Sequence, residues 1–118
     1  LRGLQSQRGE AAEDKIVTCI QGEVFDVCVD TRKDSPSFGE WYGVNLSPEN
    51  GLSLYVPKGF AHGYLTMTED TRVLYFTTQF YKPGAERGFR FDEPRFAIEW
   101  PLSPPFIMSE KDKSFSYL

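Results

Sequence analysis

The sequence predicts an all-β domain, a sandwich, jelly roll or small barrel, on three observations. Ten glycines and eight prolines are spread from Gly3 to Pro105 rather than pooled in one linker, so they punctuate many short elements. Between them, apolar and polar residues alternate with the period of two that a strand requires. Turn signals recur about every 8 to 12 residues, with no helical stripe of useful length. The 118 residues, 40% hydrophobic and 15% aromatic, are too apolar for a disordered chain and the right length for one domain spanning 1–118.

Six strands follow in order. The first is Lys15 to Ile20, whose Lys15, Val17 and Cys19 share a face. In Val24 to Asp30, the side chains of Phe25, Val27 and Val29 share one face and Asp26, Cys28 and Asp30 the other, which predicts a half-buried strand. Gly39 to Leu46, Leu52 to Val56, Ala61 to Met67 and Arg72 to Phe80 complete the set, the last rich in β-branched and aromatic residues. The turns between them are explicit: Gln21-Gly22, Ser35-Pro36, Ser47 to Gly51, Pro57-Lys58-Gly59 and Lys82-Pro83-Gly84 supply fixed or positive φ. After Trp100 the pattern changes. Pro101, Pro104 and Pro105 forbid a central strand, and Ser109-Glu110-Lys111-Asp112 can cap a single helical turn.

Seventeen acidic against thirteen basic side chains give a net charge of −4, so no basic face advertises nucleic acid or an anionic membrane. No apolar run approaches the roughly 18 residues of a membrane helix, and no signal peptide is expected ahead of the first charged residues. Cys19 and Cys28 lie in apolar runs and are too few for a disulfide scaffold, so a reducing, cytoplasmic compartment is expected.

The sharpest local signal is Pro57-Lys58-Gly59-Phe60-Ala61-His62-Gly63, a turn that feeds a strand and leaves a histidine near its start. It matches the second cupin motif, P-x-G-x-x-H. A metal cupin needs further histidines, because a divalent ion takes three or four converging ligands, and His62 is the single histidine of this chain. Cys19 and Cys28 lack ligand-like spacing, so neither a metal nor another cofactor is expected. The plainer reading of a lone histidine is a hydrogen-bonded core residue; the turn motif favours a site.

Several motifs in register carry a wider resemblance. Leu1 to Glu10, Lys15, Gly22 to Val27, Ser35 to Gly39, Pro57 to Gly63, Leu74-Tyr75, Glu86-Arg87-Gly88, Trp100-Pro101 and Ser109 to Asp112 resemble the dTDP-4-dehydrorhamnose 3,5-epimerase family from end to end. The resemblance implies a cupin jelly-roll barrel, a homodimer, and N-terminal strands ahead of Leu1, so that Leu1 is expected to be a cut end. It also implies a substrate, a nucleotide-linked 4-keto-6-deoxy sugar, whose C3 and C5 protons are acidic because each flanks the C4 ketone. A base removes such a proton, a cation stabilises the enolate oxygen, and an acid returns a proton to the opposite face. By the same resemblance Lys15 lies near the enolate oxygen, Tyr75 is the acid, His62 helps bind the sugar, and Asp112 orients the base. Arg2, Tyr81, Glu86 and Lys111 fall among the residues that touch the nucleotide sugar.

Read without the family, Lys15, Tyr75 and His62 converge if their strand faces point into the barrel. A lysine on an apolar strand face is costly to bury unpaired, although at a strand start it can snorkel to the edge. Tyr75 can equally be a cross-strand aromatic, and Asp112 a helix cap or a solvated charge. One departure bears on mechanism. Gln5 stands where the family motif R-G-L-H-x-Q carries its catalytic histidine, and a carboxamide is non-basic near neutral pH. Asp112 is then expected to accept a hydrogen bond from the Gln5 amide. Ser6 stands where the family often has a bulky residue, which predicts an altered pocket floor. Three readings follow: an epimerase narrowed to one carbon with Tyr75 or His62 as base, a binding protein that does no chemistry, or an enzyme of another 4-keto-sugar reaction such as tautomerisation. A binding cupin that holds some other small anion is a further alternative.

Overall fold

A computed structural model describes residues 1–118, the side chain of Glu10 excepted. It contains eight strands, β1 (Arg2–Gln7), β2 (Lys15–Gln21), β3 (Val24–Asp30), β4 (Trp41–Leu46), β5 (Ser53–Val56), β6 (Phe60–Thr66), β7 (Arg72–Thr77) and β8 (Glu86–Gly88), and a one-turn helix α1 (Glu110–Lys113). The strands form two antiparallel sheets, ordered β4-β3-β6-β1-β8 and β5-β2-β7. The all-β expectation therefore holds. Among the described residues no helix is long and apolar enough to cross a membrane.

Two apolar layers flank the larger sheet. Val17, Cys19, Leu54 and Val56 of the small sheet pack against Val24, Cys28 and Leu46 of the large one. On the outer face, Leu4, Val27, Val29 and Ala61 are covered by Phe89 and Phe96, with Phe25, Trp41, Ile98 and Trp100 packed around them. This second layer corrects the half-buried reading of β3. Its Phe25-Val27-Val29 face lies under the chain after β8, while Asp26 and Cys28 point between the sheets, so both faces are buried. The face that carries two aspartates is the interior one because each carboxylate has a partner there, His62 for Asp26 and Arg32 with Ser35 and Ser37 for Asp30.

The ends of β2, β4, β5 and β6 fall within two residues of expectation, and the larger departures are the end of β7 and the presence of β1 and β8. β7 ends at Thr77 rather than Phe80, where the Thr77 hydroxyl donates to the Gln79 carbonyl at 2.8 Å and Phe80 stands exposed. β1 and β8 were not expected as strands, since neither alternates apolar and polar residues; they exist by pairing Gln5, Ser6 and Gln7 with Gly88, Arg87 and Glu86. β1 also lies against β6 with unusual closeness at two glycines. A Cβ on Gly63 would stand 2.7 Å from the Arg2 carbonyl oxygen, and one on Gly3, whose φ is +104°, would stand 2.6 Å from that of His62. This contact brings Gln5 directly opposite His62.

Candidate active site

The interior face of each sheet presents polar side chains at one end. On the small sheet Lys15 pairs with Thr77 and Val17 with Tyr75, so the period of two places Lys15 and Tyr75 on the face that carries the apolar core. On the large sheet His62 lies between Gln5 of β1 and Cys28 of β3. The result is a cleft of about 130 Å³ lined by Arg2, Gln5, Lys15, His62, Tyr64 and Tyr75 with the Gly3 and Gly63 backbone. A second cleft of about 270 Å³ adjoins it, sharing Gln5, Lys15 and Tyr75 and adding Gln7, Glu13, Tyr81 and Glu86. Neither alone reaches the roughly 300 Å³ at which ligand pockets begin, and the two share three lining residues.

Lys15 reaches Glu13 at 3.4 Å, and its ammonium is 5.8 Å from the Tyr75 ring centre. The carboxylate offsets the cost of a lysine that is mostly shielded from water. Tyr75, at 57% exposed, stands at the mouth rather than in the core. Across the groove, His62 Nε2 is 2.7 Å from Asp26 Oδ1, and Asp26 is wholly buried. Burial, with the Asp26 carboxylate as the second cause, pushes the neighbouring Cys28 thiol up to about 11.

Asp112 does not line the cleft; it lies behind Gln5. Ser109 caps α1 by accepting from the Asp112 amide at 3.1 Å, which turns that buried carboxylate toward β1. One oxygen accepts from the Gln5 side-chain amide at 2.9 Å and the other from the Gly3 N–H at 3.1 Å. The hydrogen bond expected between Gln5 and Asp112 is present. Ser6, in contrast, lines neither cleft, because it lies on the face of β1 opposite to Gln5 and Gln7; the expected change of pocket floor is not seen.

Tyr81 and Glu86 line the outer cleft, and Lys111 pairs with Glu86 at its rim. The Lys111 ammonium, then the Tyr81 hydroxyl, hold the Glu86 carboxyl below its usual range. Arg2 donates to the Tyr64 hydroxyl at 3.5 Å. Gln7, Glu13, Tyr64, Thr77 and Gln79 line the groove but escaped the sequence reading as site residues, and so did Asp26 behind His62. Tyr64 shares the His62 face by parity and was accessible on that ground. Asp26 was not, because its link to His62 depends on the pairing of β3 with β6.

Two antiparallel sheets with a polar groove between them at one end define a jelly-roll protein of the cupin class. The family model described as dTDP-4-dehydrorhamnose 3,5-epimerase matches residues 1–118, and the chain belongs to that family. It is 51% identical over 112 residues to the dTDP-4-dehydrorhamnose 3,5-epimerase of Salmonella typhimurium, covering 95% of this chain and 61% of that relative. The chain thus spans about three fifths of the length of the curated relatives it matches. Among solved structures it is similar to the dTDP-6-deoxy-D-glucose-3,5-epimerase of Legionella pneumophila in complex with dTDP-4-keto-L-rhamnose. That match has a TM-score of 0.90 at 42% identity and covers 96% of this chain and 60% of that one. It is also similar to a 3′-monoepimerase of Streptomyces bikiniensis in complex with dTDP-quinovose, with a TM-score of 0.91 at 28% identity, covering 98% of this chain and 59% of that one.

Proposed function

We propose that the protein epimerises a nucleotide-linked 4-keto-6-deoxy sugar, and that with Gln5 in the groove it does so at one carbon. The observation that carries this reading is the convergence of Lys15, His62 and Tyr75 in one cleft. Lys15 supplies the cation for an oxygen that turns from ketone to enolate. Tyr75, on the opposite wall from His62, is the acid that returns a proton to the other face of the sugar. Arg2, Tyr81, Glu86 and Lys111 hold the nucleotide side of the ligand. Gln5 donates to Asp112 and, as a carboxamide, brings no useful basicity to the groove. Support for the substrate class comes from the dTDP-sugar complexes of the similar structures, and support for a single carbon from the monoepimerase among them.

The test is to incubate the protein with a thymidine diphosphate-linked 4-keto-6-deoxy sugar in deuterium oxide and follow C3 and C5 by NMR. Deuterium at one carbon is the expected result. Binding without deuterium at either carbon would leave the reading of an inactive nucleotide-sugar-binding protein. Gln5→His restores an imidazole within reach of Asp112 and should raise uptake at the second carbon by at least about 10-fold, if a missing base is all that limits it. The free, buried cysteines Cys19 and Cys28 support a reducing, cytoplasmic setting.

A further inference from the structure

We propose that His62, held by Asp26, is the base that removes the proton beside the ketone in this chain, with Asp26 as its positioning residue. The inference rests on the epimerase reading above and names the group that reading requires. Three observations point to it. The Asp26 carboxylate is wholly buried; one oxygen meets His62 Nε2 at 2.7 Å, and the other, Oδ2, is buried with no hydrogen-bond partner among the described residues. His62 lines the cleft, and its second ring nitrogen, Nδ1, has no partner among the described residues and is not among the fully buried unpaired atoms, which leaves it available to a ligand in the groove. Gln5, the cross-strand neighbour of His62, has its amide committed to Asp112.

Chemistry narrows the choice among the side chains of the inner cleft, which holds no carboxylate. Arg2 and Lys15 are cations and Gln5 is non-basic, whereas an imidazole is ordinarily available as a base near neutral pH and a phenol is not. A carboxylate on Nε2 fixes the proton there and leaves the Nδ1 lone pair facing the substrate. The carbon–hydrogen bond breaks, its proton passes to Nδ1, and its electron pair becomes the enolate whose oxygen lies beside Lys15. The imidazolium so formed faces Asp26, whose charge has no other side-chain partner among the described residues, and this stabilises the charged base. His62 stands on the five-stranded sheet and Tyr75 on the three-stranded one, so the Tyr75 hydroxyl delivers its proton to the carbon from the opposite wall. Proton exchange with solvent then returns His62 and Tyr75 to their starting forms.

Because His62 is the single histidine, its ring nitrogens give unambiguous NMR signals in the unaltered protein. The neutral ring should be the Nε2–H tautomer. In deuterium oxide with the same 4-keto sugar, His62→Asn should slow uptake by about 100-fold or more while the Kd changes less than about fivefold. Asp26→Asn should slow uptake by about 10-fold at nearly constant KM and shift the tautomer toward Nδ1–H. Tyr75→Phe should lose inversion while uptake persists, since one base can remove and return a proton on its own face. An Nδ1–H ring in the unaltered protein, or uptake by His62→Asn within about threefold of it, overturns the assignment and leaves the epimerase reading standing. Should the unaltered protein bind the sugar and take up no deuterium, the epimerase reading fails first and this assignment with it. The tautomer and the His62 variant decide the matter even if Asp26→Asn does not fold.

Discussion

Asp30 illustrates at the scale of one residue how this chain accommodates charge inside a sheet. Its buried carboxylate accepts from the Arg32 backbone and guanidinium and from the hydroxyls of Ser35 and Ser37. The Arg32 hydrogen bonds, more than the hydroxyls, hold its carboxyl far below the usual carboxylate range. A folded-state value below the unfolded value of about 3.9 means that the ionised form stabilises the fold above that pH and is lost as pH falls through the folded value. The melting temperature should therefore decline below about pH 4, and Asp30→Asn should flatten that decline while lowering stability at pH 7 by about 2 kcal/mol. Calorimetry of both proteins between pH 3 and 7 checks it; parallel curves would assign the acid sensitivity to other groups.

At the scale of the element, α1 matters more than its four residues suggest. Ser109 accepts from the Asp112 amide, and Asp112 in turn receives Gln5 and the Gly3 N–H, so a helix cap is coupled to the position of a groove side chain. Ser109→Ala should cost about 1 kcal/mol of stability and loosen Gln5, seen as exchange broadening of the Gln5 side-chain amide; a sharp, unshifted amide would separate the two. Asp112 also shows which features were legible in advance. The Ser109 cap is a local pattern and read correctly, as were β2 and β3, whose alternation survives any tertiary context. Lys15, His62 and Tyr75 followed from parity once their strands were known. β1 and β8 did not, because R-G-L-Q-S-Q and E-R-G contain no alternation and become strands through partners far away in the chain. Asp26 was missed for the same reason, since its relation to His62 is a product of packing, whereas Glu13 stands two residues from Lys15 and was within reach of the local sequence. The covering of β3 by Phe89 to Trp100 likewise depends on a return path that no local pattern encodes.

At the scale of the whole molecule the two sheets are treated unequally. The outer face of the large sheet is buried, whereas Ile16, Ile20, Tyr55, Leu74 and Phe76 on the outer face of the small one are between 44% and 63% exposed. They are contiguous: Ile16 pairs with both Tyr55 and Phe76, and Leu74 pairs with Thr18 next to them. An apolar sheet face of this kind marks a contact surface, and the homodimer implied by the family resemblance is the partner that we propose for it. Light scattering should show a dimer, and Ile16→Lys with Phe76→Lys should convert it to a monomer with unchanged circular dichroism, since both side chains point away from the core. Lys15 and Tyr75 occupy the opposite face of the same strands, so the double variant also reports on the groove. If one chain completes the site, sugar binding survives the loss of the dimer; if binding is lost while the fold persists, the partner copy supplies part of it. An unaltered protein that remains monomeric at high micromolar concentration would overturn the assignment of this face.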